Sequence, residues 1–315
     1  MRPVNAILLL VLSALGFGAM ALLSKLACRT YDGATVAGVR FAIGALVIGA
    51  LWATGRVDAR PRHRKLLWVR GLSGGVAVVL YFMAMQTLSV GLATLLNYTS
   101  PVFAVFIARA SLGERLTWRA GAALALATAG VTAVVLGQGT DALHAAPDPL
   151  WVGLALLSSV FSAAAVVTVR ALRSQPEPET VWSIYFAFCV TGVLCALPVS
   201  RGLHWPSPTE AALLLGVGVT SMFAQLSMNA VMRWVPAALF GVIAQLAVVC
   251  AMLLGVWVLD EPWTLTSALG AGVTLIGVLL AAWAHQSRPS DARPAATVTA
   301  SASSSCDGPD SPRGR

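Results

Sequence analysis

Charge is what this chain lacks most. Only 11% of its 315 residues are charged, against about 25% in a soluble domain, and 57% are hydrophobic. Few soluble folds could bury that much apolar surface, because surface grows too fast with size. Lipid is therefore the expected solvent. Acids are scarcest where the chain is most apolar, and no Asp or Glu lies deep inside an apolar run. The usual intramembrane proton carrier is thus missing. His63, His144, His204 and His285 are scattered, with no HExxH and no paired carboxylates, which argues against a membrane enzyme. The five cysteines form no CxxC and have no histidine at ligand spacing. Neither a disulfide framework nor a zinc site is expected, and no cofactor or metal.

Long apolar runs are what the chain has instead. Ten can be placed, at approximately 4–24, 34–54, 66–88, 90–109, 118–138, 150–170, 180–200, 210–232, 236–259 and 263–284. About 20 residues of helix cross the hydrocarbon core, and helices satisfy their own backbone in lipid. The first run has the flanking charges of a secretory signal, Arg2 and Lys25. Its length and the runs that follow make it a retained span. The net charge of +8 comes from short loops between runs, a topology signal and not a nucleic-acid surface. The loop Gly55–Lys65 holds Arg56, Arg60, Arg62, Arg64 and Lys65, which the positive-inside rule places in the cytoplasm. Both termini then lie there too. Residues 285–315 are rich in Ser, Ala and Pro and read as a disordered cytoplasmic tail.

The chain also repeats itself. Thr35-Val36 and Phe41-Ala42 match Thr180-Val181 and Phe186-Ala187 at an offset of 145. Further on the offset is 147, placing Glu114 on Glu261, Thr117 on Thr264 and Gly130 on Gly277. Each half holds five spans. Five is odd, so the second half enters the membrane from the opposite side. Inverted repeats of this kind build two alternative openings around one central site.

Several polar residues are candidates for that site. Arg40 lies roughly 9 Å into the second span at 1.5 Å per residue. It either snorkels or pairs with Asp32 or a carbonyl, or it binds an anionic substrate group. In the fourth span Thr94, Asn97 and Pro101 share one face, with Tyr98 beside them, and Pro101 is expected to free the carbonyl of Asn97. Gln245 falls on Tyr98 under the offset of 147. Tyr81 and Gln86 in the third span, and Gln225 and Asn229 in the eighth, complete the set. Each amide could equally be glue between helices. Glu114 and Glu261 sit in the hinges before the fifth and tenth spans. There they are either capping groups of tight hairpins, beside Thr117 and Thr264, or gating residues with Pro101.

The proline of the fourth span, the "LGERLT" that follows it, Gly121 and Gly130, Lys25 and "VRFAIGAL" at Val39–Leu46 resemble the EamA type of the drug/metabolite transporter superfamily. The second half departs in detail, with "LDEPWT" for "LGERLT" and Val248 where Pro101 would fall. The resemblance implies ten transmembrane helices in an all-α membrane protein, as two inverted five-helix repeats at 1–139 and 150–284. It also implies movement of small metabolites, amino acids or drug-like solutes, often outward. The expected partners are a small-molecule substrate, the bilayer and, if transport is coupled, a proton. A lipid flippase of the same fold is the alternative.

Overall fold

A computed structural model describes residues 3–88, 90–113, 118–137, 149–202, 204–235, 237–259 and 265–286. These form twelve helices and, among the described residues, no strand. They are α1 (Pro3–Ala27), α2 (Gly33–Ala53), α3 (Arg64–Thr87), α4 (Val90–Asn97), α5 (Ser100–Leu112), α6 (Trp118–Gly137), α7 (Pro149–Arg173), α8 (Val181–Ala196), α9 (Pro208–Val231), α10 (Ala237–Ala244), α11 (Leu246–Leu259) and α12 (Leu265–Gln286). Among the described residues, six helical stretches are long and apolar enough to cross a membrane: Asn5–Ala27, Gly33–Ala53, Arg64–Thr87, Pro149–Arg173, Pro208–Val231 and Leu239–Val258. Leu46, Trp68, Leu194 and Leu279 are exposed on the outside, as lipid-facing side chains must be. The chain is a multi-pass membrane protein.

The helix starts follow local chemistry. Asp32 caps α2 through the Thr35 amide, and Thr180 caps α8 through the Ser183 amide. A capping box begins α9, with Ser207 and Glu210 satisfying each other's amides and Pro208 in the first turn. These starts are also tied across the molecule. The Thr35 hydroxyl meets Ser200 Oγ at 2.9 Å, and the Thr180 hydroxyl donates to the Asp58 carbonyl at 2.7 Å. The two threonines are related by the offset of 145, so the antiparallel pair α2–α8 is fastened once at each end.

The fourth and ninth runs, read as continuous spans, are each divided in the structure. Helix α4 ends at Asn97 and α5 starts at Ser100. Pro101 sits in the first turn of α5, so it opens a helix where the sequence reading placed it inside one continuous span. The Thr99 hydroxyl turns back to the Leu96 carbonyl at 2.7 Å, which holds the break. The second division, between α10 and α11 at Gln245, has no proline. The Gln245 amide donates to the Val242 carbonyl and the Val248 amide to the Gln245 carbonyl, three residues apart in each case, so the helix tightens locally.

Packing keeps the internal symmetry. Helix α1 packs on α9, α3 on α7, and α2 on α8. The offset of 145 exchanges the first two pairs and returns the third to itself. Helices α6 and α12 form the seam. A Cβ on Gly130 would lie 2.5 Å from the Thr274 amide nitrogen, and one on Gly277 would lie 2.9 Å from that of Ala127. Since 127 maps to 274 and 130 to 277, each glycine faces the counterpart of the other's neighbour, as in a two-fold interface.

Candidate functional site

The two helix breaks meet. The Gln245 side-chain amide donates to the Tyr98 carbonyl at 3.2 Å, so the residues at the two divisions, 147 apart, are bonded to each other. Pro101 packs where α10 crosses, so closely that Gly241 has no room for a Cβ. Beside this crossing lies a cavity of about 130 Å³. Its wall draws on both halves, with Arg40, Arg70, Tyr81, Asn97, Pro101, Gln225 and Phe240 among its residues.

Apart from two arginines, the wall is weakly polar. Tyr81 bonds the Thr94 hydroxyl at 2.9 Å. The Asn97 amide donates to Ser158 Oγ at 2.8 Å and to Ser162 Oγ at 3.3 Å. Thr99 reaches Ser159 at 3.1 Å. The broken fourth stretch is thus held on α7 by a row of serines that the sequence reading did not single out.

Arg40 and Arg70 carry the charge of the cavity. Each is only 2% exposed. Arg40 lies over the rings of Phe41, Phe82 and Phe188, at 5.2, 5.8 and 5.8 Å from their centroids. Arg70 lies over the same Phe188 at 4.1 Å, and its Nη2 donates to Gln225 Oε1 at 3.2 Å. Nε and Nη2 of Arg40, and Nε and Nη1 of Arg70, have no hydrogen-bond partner. Asp32, which could have paired with Arg40, instead accepts from Thr35 and from the Arg201 amide. Gly74 makes the arrangement possible, because any Cβ there would strike Arg70 Nη1 and the ring of Phe188.

Of the residues singled out from sequence, Arg40, Tyr81, Asn97, Tyr98, Pro101 and Gln225 line this one cavity. Gln245 and Asn229 do not. Gln245 is the tie to Tyr98, and Asn229 is fully buried with both amide atoms unpartnered. Glu114, Glu261, Thr117, Thr264 and the segment 287–315 lie outside the described residues. Arg70 was missed. Its signal was present, since it sits six residues past Arg64, the start of α3. The basic loop just before it hid that depth.

Broken helices meeting at a sparsely polar, two-sided cavity in a multi-pass bundle define a membrane transporter, not an enzyme. The EamA-like transporter family matches the chain twice, over residues 4–136 and 149–283, and the chain belongs to that family. It is similar to the pseudopaline exporter CntI of Pseudomonas aeruginosa, at 29% identity over 223 residues, 70% of this chain and 76% of the relative. An uncharacterized transporter of Helicobacter pylori is 26% identical over 224 residues, 69% of this chain and 73% of its own. A protein known from a crystal structure aligns with a TM-score of 0.69 over 87% of this chain and 97% of its own, at 22% identity. That last likeness is one of fold.

Proposed function

We propose that this chain is a secondary transporter that exports a small metabolite, amino acid or drug-like solute across the inner membrane by alternating access. The reading takes α4–α5 and α10–α11 as two broken spans, giving ten transmembrane helices in two inverted five-helix repeats, with both termini cytoplasmic. The observation that carries it is the Gln245–Tyr98 bond at the meeting of the two breaks. Transporters place substrate sites where discontinuous helices from opposite repeats meet. Rocking of the halves about the α6–α12 seam would open the cavity first to one side and then to the other. Export as the direction is supported by the relative named an exporter. The interfacial acids Glu114 and Glu261 remain the candidates for coupling to a proton, since no acid lies deep in a span.

The test is untargeted mass spectrometry of the medium and cell extract from cells expressing the chain, beside cells expressing an Arg70→Gln variant at equal membrane abundance. A solute that rises in the medium with the wild-type chain and falls in the extract supports export. Identical profiles would contradict it. A change confined to lipid asymmetry would favour the flippase alternative.

A further inference from the structure

We infer that the cargo is a dianion, a small solute bearing two carboxylates, held by Arg40 and Arg70 beside Phe188. This inference rests on the proposed function, because it takes the cavity to be the substrate site.

The charges of the cavity are out of balance. A guanidinium stays protonated in proteins, and burying one without a partner is strongly unfavourable. Here two are buried around one ring, and four of their nitrogens are unpartnered. Among the described residues, no acid pairs with either arginine. Of the 13 acids, Asp32, Asp58, Glu177 and Glu179 lie between helices, and Glu210 lies in the first turn of α9. The remainder fall outside the described residues. The Phe188 centroid lies 4.1 Å from Arg70 and 5.8 Å from Arg40, which offsets part of the cost without neutralising either charge. Gln225 gives Arg70 one neutral acceptor. The structure therefore assigns the counter-charges to what enters the cavity.

The type of side chain narrows the class. Arginine presents planar pairs of N–H donors that match a carboxylate two-pronged. Arg40 comes from α2 and Arg70 from α3, both in the first half. The Arg70 head is fixed from the second half by Phe188 of α8 and Gln225 of α9. The pair is thus placed by both halves at once. A bound dianion would change the balance of contacts between the halves, as a cargo must if it is to bias their rocking.

The experiment is calorimetric titration of the purified chain in phosphatidylcholine nanodiscs with succinate, glutarate and adipate, each beside its monoamide and diamide. At least one dicarboxylate is expected to bind. Its monoamide should bind about tenfold or more weakly and its diamide not measurably. Arg40→Gln and Arg70→Gln should each weaken the dicarboxylate by about tenfold or more, whereas Arg40→Lys should recover part of the loss. The amide series uses the wild-type protein, so it decides the matter even if a variant fails to fold. Diamides binding as well as diacids would overturn the inference. So would binding of inorganic phosphate or short-chain phosphatidate in place of every dicarboxylate, which would assign the pair to a phosphate or a lipid headgroup. Arginine-dependent dicarboxylate binding, without release of the same compound from loaded vesicles, would keep the site and overturn the transport reading.

Discussion

Gly130→Ala is expected to destabilise the protein more than the symmetry-related Gly277→Ala. At Gly130 the new methyl would lie 2.5 Å from the Thr274 amide nitrogen and 2.7 Å from the Gly270 carbonyl. Both are backbone atoms of α12, so neither can swing aside. Ordinary contact needs about an ångström more, which separates α6 from α12 along their seam. Overpacking of this kind costs about 1–3 kcal/mol, and the better helix propensity of alanine returns about 1. The net is a loss of about 0–2 kcal/mol, and the 2.5 Å approach to backbone puts Gly130 at the upper end. At Gly277 the nearest atoms are at 2.9 and 3.1 Å, so the same arithmetic gives about 0–1 kcal/mol. Gly153, with nothing near its Cβ position, serves as control, and Gly153→Ala should be neutral or slightly stabilising. Thermal unfolding in detergent, followed by tryptophan fluorescence, resolves the ranking at about 2–4 °C per kcal/mol. Gly130→Ala melting at or above wild type would refute the seam as described.

Glu179→Gln should lower stability by about 2–3 kcal/mol. The buried carboxylate of Glu179 accepts from the amides of Arg62 and His63 at the start of α3, the latter at 2.9 Å; an unchanged melting temperature would contradict that role. Asp32→Asn should lose stability at neutral pH, and the gap to wild type should narrow in acid. Burial pushes the Asp32 carboxyl up. Hydrogen bonds from the Thr35 hydroxyl and from the amides of Thr35, Arg201 and Ala34 outweigh it, holding the group below its ordinary 3.8. A lowered folded value stabilises fully above the unfolded one and is lost as pH falls through the folded one. The two melting curves should therefore converge only below about pH 3.8; convergence near neutrality would contradict the assignment. Asn97→Leu should cost about 0.6–2 kcal/mol, the range for membrane hydrogen bonds, by releasing α4 from Ser158 and Ser162. A transport defect without any loss of stability would mean that Asn97 binds cargo instead.

Residue spacing carried much of this in advance. The offset of 147 put Gln245 on Tyr98 before any geometry was known, and the structure bonds that very pair. The same offset put Gly130 on Gly277, which face each other's neighbours across the seam. The start of α9 was legible too, since Ser207 and Glu210 have capping-box spacing. What spacing could not convey was the absence of partners. Arg70 stands out only once Phe188, from the other half of the chain, is seen close to it and to Arg40, with no acid paired to either among the described residues. The ninth stretch has no proline near Gln245, so its break there left no local mark. Its i to i+3 bonds arise from packing against α5 and from the tie to Tyr98.

The most direct test of the central claim needs no knowledge of the cargo. Ser162→Cys, nearly isosteric and on the cavity wall, is placed in a background without the five native cysteines. A membrane-impermeant maleimide is then applied to sealed vesicles from one side and, in a parallel sample, from the other. Alternating access predicts labelling from both sides. It also predicts that a bound dicarboxylate shifts the ratio of the two rates. Labelling from one side only, under every ligand condition, would contradict the account.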